Sequence, residues 1–131
     1  MSGPSQSAQA VLREISSALG ALARQGAAAP PHAIEETIDL HSLPLSEADR
    51  AALATRLGRG EVQATLDVAG ATRVFETAFA GVWWVEHADA QGHTMLEQVV
   101  VARVPALLPA HPADIESAAR RLQAELESTH E

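Results

Sequence analysis

Apolar residues recur at three- and four-residue spacing near both ends of this chain and crowd together in its middle. From Ala8 to Arg24, Val11, Leu12, Ile15, Leu19 and Leu22 trace one stripe of a helix, which Gly26 is suited to end. Ser46 followed three residues later by Asp49 is a capping-box-like start for a second helix over Glu47 to Leu57. Its buried stripe would be Ala48, Ala52, Leu53 and Leu57, with Gly58 as terminator. Near the C-terminus Ile115, Ala118, Ala119, Leu122 and Leu126 form a third amphipathic stripe, on a helix opened by Pro112.

Between the second and third helices the pattern changes to β-branched and aromatic residues separated by short Gly turns. Four strands are expected near 61–67, 72–79, 82–88 and 93–102, and their connections are too short for parallel crossovers. Glu36 to Leu40 is a candidate fifth, short strand. Ala80-Gly81 fits a two-residue hairpin, and Asp89-Ala90-Gln91-Gly92 fits a type I turn with a Gly bulge. The fold class is therefore α+β: an antiparallel meander of four to five strands flanked by N-terminal, middle and C-terminal helices. The stiff Ala- and Pro-rich stretch Ala27 to His32 sets a helical arm with its connector, residues 1–34, apart from an α+β domain, residues 35–131.

The turns set a register. They place Trp84 on one face with Phe75, Phe79, Val82, Leu96 and Val100, and Trp83 on the other with Val74, Val85, Met95, Val99 and Val101. Neither face is polar, so both are expected to be covered. The Ser46 helix and the C-terminal helix are assigned to one face, leaving the other to the N-terminal helix or a second subunit. A homodimer is the expectation. Glu76 and Glu97 fall on the Trp83 face in this register, with His87 nearby. That more polar rim makes Trp83 the expected exposed ring and Trp84 the buried one.

Composition narrows the picture. The chain has 131 residues, and its four aromatic residues, Phe75, Phe79, Trp83 and Trp84, all lie between positions 75 and 84, so core and interface anchors are concentrated there. Many of its apolar positions are Ala, which bury little area, so a modest aliphatic core is expected. Nine basic groups, all Arg, against seventeen acidic ones give a net charge of −8, which repels nucleic acid and anionic membranes. With no Cys there is no disulfide, thiol nucleophile or Cys-ligated metal. The start lacks a leader pattern and no long apolar run occurs, so a cytoplasmic location is expected.

Catalytic motifs are missing. The six His residues form no HExxH or i,i+4 pair, and His87 with His93 across one turn is the best of them. Glu76, Glu86 and Glu97 lie in expected strands, where rim charges paired with Arg73 and Arg103 outweigh acid–base work. No GxSxG elbow, phosphate-cradling loop or dinucleotide fingerprint is present. No catalytic residue, metal ligand or cofactor is assigned. The alternatives left open are a small metal-binding or carboxylate-based enzyme using Glu76, Glu97, His87 and His93, and a purely structural oligomer subunit.

Three stretches taken together resemble one family: IDLHSLPLSEADRAALATRLGRGEVQATLD (Ile38 to Asp67), ETAFAGVWWVEH (Glu76 to His87) and EQVVVARVPALL (Glu97 to Leu108). They are similar to the conserved domain of HupH/HyaF-type hydrogenase expression proteins, whose combination of LPLS, LGxGEV, GVWWV and VP they carry. The resemblance implies a non-enzymatic accessory factor of [NiFe]-hydrogenase maturation. Such a factor acts in the cytoplasm on the iron–sulfur small-subunit precursor, with a thioredoxin-like hydrogenase accessory protein as co-worker. Longer members carry further sequence ahead of this region, so this chain either dimerises in its place or serves a different client. The resemblance supplies no catalytic residues. Within the matching motifs Glu76, Trp83, Trp84 and Glu97 are the expected client contacts.

Overall fold

A computed structural model of the chain describes residues 5–26, 35–67 and 70–128. The helix α1 spans Gln6–Gln25, β1 Glu36–Asp39, α2 Glu47–Leu57, β2 Gln63–Leu66, β3 Ala71–Glu76, β4 Val82–Ala88, β5 Thr94–Val101 and α3 Pro112–Ser128. The expected Ala27 to His32 connector lies outside the described residues.

The α2 start is set locally. Ser46 Oγ accepts the Asp49 N–H and Asp49 returns a bond to the Ser46 N–H, both at 3.0 Å. At the other end Gly58 has φ 68°, a backbone conformation that glycine enters without a Cβ penalty. Gly60, two residues on, is needed for a different reason: a Cβ there would stand 2.6 Å from the Thr77 carbonyl oxygen. The Gly60 N–H donates to the Glu76 carbonyl at 2.7 Å, so this close approach fastens the segment after α2 to the end of β3.

β2 to β5 form an antiparallel meander, and β1 pairs with β5 at its far edge, giving the order β1-β5-β4-β3-β2. In the β3–β4 hairpin Phe75 pairs with Trp84 and Glu76 with Trp83. The turn is two residues longer than Ala80-Gly81 alone, both on the β3 side, because Thr77 N–H bonds the Val82 carbonyl at 2.9 Å. That widening keeps the parity of the pairing, and the faces of β3 and β4 are as expected. Phe79, however, sits in the turn and is exposed, rather than joining the Trp84 face.

β5 differs. Its pairing starts with Ala88 opposite Thr94, the register the turn implies, but the next pair is His87 opposite Leu96. Met95 is the extra residue of a β-bulge, and a one-residue slip moves every later side chain to the other face. Val99 and Val101 therefore join Trp84, and Val100 and Leu96 join Trp83, the reverse of the expected assignment. Glu97 moves with them. It lies on the Trp84 face, opposite Glu86, while Glu76 stays with Trp83.

The Trp84 face carries the larger core. Val11, Ile15 and Ala18 of α1 and Leu53 and Leu57 of α2 bury against Phe75, Val82, Trp84, Val99 and Val101. On the Trp83 face Val74, Val85, Val100 and Ala102 form a smaller cluster, with Leu66 and Leu108 packed against it. The expectation that α3 shares one face with α2 is not met: α3 buries none of its residues, and α1 takes that place. The periodicity of α3 defined a stripe, but the α1 stripe, with its small Ala8 and Ala18, is the one seated on the sheet.

Candidate functional site

The Trp84 face is apolar only where α1 and α2 cover it; toward the β4–β5 turn it becomes charged. Each step along β4 from Val82 to Trp84 to Glu86, and along β5 from Val101 to Val99 to Glu97, moves from core to cleft. The result is an open cavity of about 380 Å³ between α2 and the sheet. Its floor is aromatic. Phe75 and Trp84 stack with centroids 6.4 Å apart and planes 12° apart, and the Arg59 guanidinium lies 3.9 Å above the Phe75 ring.

Its walls are ionic. Arg50 of α2 reaches across to β5, with Nε 3.1 Å from Glu97 Oε1. On the β3 side, Arg73 lies 3.1 Å from Glu86, the carboxylate that the register places directly opposite Glu97. Burial raises the Glu97 pKa above its ordinary value of 4.5, and the neighbouring Glu86 carboxylate adds to that rise. Arg50, His41 and the Trp84 indole oppose it without cancelling it. A half-buried carboxylate pinned to a helix by one guanidinium therefore faces an open, aromatic-floored groove.

Residues 5–129 match the family described as HupH hydrogenase expression protein, C-terminal conserved region. The chain belongs to that family. It is 35% identical over 97 residues to the hydrogenase expression/formation protein HoxQ of Azotobacter vinelandii, covering 74% of this chain and 33% of that protein. To the Escherichia coli K12 hydrogenase-1 operon protein HyaF it is 32% identical over 92 residues, covering 70% of this chain and 32% of HyaF. The chain thus spans about a third of the length of these curated relatives. The solved structure of the hydrogenase expression protein HupH from Thiobacillus denitrificans ATCC 25259 superposes with a TM-score of 0.83 at 40% identity, over 95% of this chain and 98% of that one.

In this HupH family member the four expected contact residues do not share a site. Trp84 and Glu97 line the cleft. Trp83 is on the opposite face and is 5% exposed, with its indole N–H donated to the Ala102 carbonyl at 3.0 Å, so it is not the exposed ring. Glu76 accepts the Gly81 N–H at 3.3 Å at the end of the sheet. The two hairpin histidines are engaged separately: His87 Nδ1 is 2.6 Å from Thr72 Oγ1, and His93 is 3.4 Å from Asp89. Among the described residues no three of His, Asp and Glu gather as a metal site. None of their helices is long and apolar enough to cross a membrane.

Arg50 and Arg59 are among the cleft residues that sequence reasoning missed, whereas Phe75 was already expected on the Trp84 face. Arg59 lies within the quoted LGRGEV stretch, and its position between Gly58 and Gly60 was the available signal. Arg50 carried none, since its partner Glu97 lies far away in sequence and on a strand whose face was misassigned.

Proposed function

We propose that this chain is a non-enzymatic assembly factor of [NiFe]-hydrogenase maturation that holds the immature, iron–sulfur-carrying small subunit in the cytoplasm before export. The observation that carries the reading is the cleft between α2 and β5 in a member of a hydrogenase expression family: a floor of stacked aromatic rings walled by paired charges. The Arg59 guanidinium, preordered on the Phe75 ring, supplies contact area at low entropic cost, and the Glu97 and Glu86 carboxylates supply acceptors for a polypeptide donor. Glu97 is the proposed client contact, with Arg50 and Arg59 beside it, while Trp84, 3% exposed, supports the cleft from below. Trp83 and Glu76 act only by holding the sheet. A thioredoxin-like accessory protein of the same maturation system is the proposed co-worker.

The test is capture of the hydrogenase small-subunit precursor by the tagged chain in cells making both. Arg59→Ala removes a cleft side chain whose contact with the core is its guanidinium over the Phe75 ring. It should leave the melting temperature within a few degrees and weaken capture at least tenfold. Undiminished capture by Arg59→Ala and Glu97→Gln alike would remove the cleft from the client surface, and absence of the small subunit from the wild-type capture would overturn the function.

A further inference from the structure

Two of the apolar surfaces exposed among the described residues fit each other. The first is the stripe of α3, where Ile115, Leu122 and Leu126 are 55%, 59% and 64% exposed. The second is a groove where α1 meets the β3–β4 turn, lined by side chains only partly covered by the core. It consists of two cavities of about 190 and 360 Å³ that share Leu19 and that Leu12, Leu22 and Phe79 help to line. Phe79, 51% exposed, is held there by design of the turn: buried Thr77 accepts the Phe79 N–H through its hydroxyl at 3.1 Å and donates that hydroxyl to the Phe79 carbonyl at 3.2 Å. An aromatic ring fixed at the mouth of an apolar groove is the form an interface anchor takes.

We infer that α3 of one chain docks in the α1–Phe79 groove of a second copy, giving a symmetric homodimer. Lengths agree. From Leu12 to Leu22 the α1 row is about 15 Å long, and from Ile115 to Leu126 the α3 stripe is about 16.5 Å, at a rise of 1.5 Å per residue. Charge agrees as well. The groove is rimmed by two cations, Arg56 and Arg103, against one carboxylate, Glu76. The flanks of α3 carry Asp114, Glu116, Glu125 and Glu127 against Arg120 and Arg121, and Arg120 is already held by Glu116 at 3.0 Å. An acidic helix thus meets a basic rim, whereas α3 against a second α3 would bring two acidic helices together. Two-fold symmetry makes the contact twice, which moves the buried area toward the roughly 1,200 Å² that a stable interface needs.

The experiment uses the purified chain alone, so its result is independent of any hydrogenase client. Sedimentation equilibrium should give the mass of two chains at micromolar concentration, and Leu122→Asp and Phe79→Ala should each raise the dimer dissociation constant at least tenfold. Circular dichroism checks that α3 stays helical in Leu122→Asp; if it does not, Phe79→Ala alone decides. Because the chain has no Cys, a chain carrying Phe79→Cys mixed with one carrying Leu122→Cys reports the contact directly. The mixture should form a disulfide at least tenfold faster than either variant by itself. A mass of one chain at every concentration overturns the inference, and so does faster self-crosslinking of the Leu122→Cys chain, which would mean α3 against α3.

Discussion

Trp83 and Trp84 are neighbours in β4 but belong to opposite cores. Trp84 stacks on Phe75 beneath α2, and Trp83 gives its indole N–H to the Ala102 carbonyl on the far face. With both rings at most 5% exposed, each Trp→Ala change should destabilise the fold by about 3–5 kcal/mol through the cavity it opens. Trp83→Phe keeps most of the volume and loses the donor to Ala102, so it should cost less, about 1–3 kcal/mol. Urea unfolding of the three variants checks this, and a Trp83→Ala protein as stable as wild type would show that the ring is not core.

The Arg50–Glu97 pair makes a prediction about pH. Because burial raises the folded-state pKa of Glu97 above 4.5, the fold favours its protonated form. The stability this contributes is present below pH 4.5 and is lost as pH rises through the folded value. Glu97→Gln, which does not titrate, should therefore gain stability relative to wild type as pH is raised through that window. Arg50→Ala should push the pKa higher still and move the loss to higher pH. Urea midpoints between pH 4 and 7 measure both, and a wild-type to Glu97→Gln difference that is flat with pH would falsify the assignment.

Two glycines separate crowding from backbone conformation. Gly60→Ala sets a Cβ against the Thr77 carbonyl at 2.6 Å, where backbone has to move, so the loss should exceed about 2 kcal/mol. Gly92→Ala meets nothing within 4 Å and bears only the cost of its φ of 86°, about 1–2 kcal/mol. Thermal melts rank them. Equal melting temperatures would mean that the segment after α2 yields freely.

The bulge at Met95 can be tested by changing chain length. Deleting Met95 keeps Ala88 opposite Thr94 and His87 opposite Leu96, so Val99 and Val101 stay under Trp84 and the fold should survive. Inserting one residue between Leu96 and Glu97 slips the rest of β5 and turns those two valines out of the core. That protein should lose its near-ultraviolet tryptophan signal and cooperative melting. Survival of the insertion with both intact would mean that the β5 register is not set by its buried face.

Local chemistry was legible along the chain. The Ser46–Asp49 box, the Gly58 stop, the α1 stripe from Val11 to Leu22 and the placement of four strands and a short fifth are decided within a few residues of themselves, so pattern and turn chemistry suffice to read them. Period alone cannot decide which amphipathic helix wins a shared face. α1 and α3 carry similar stripes, and only packing on the finished sheet seats one and leaves the other projecting. Nor does a turn motif reveal that one residue beyond it will bulge, and that single slip carried Glu97 from the Trp83 side to the Trp84 side. The cleft depends on that slip, because Arg50 and Glu97 meet only after α2 and β5, distant in sequence, have each presented the right face to the other.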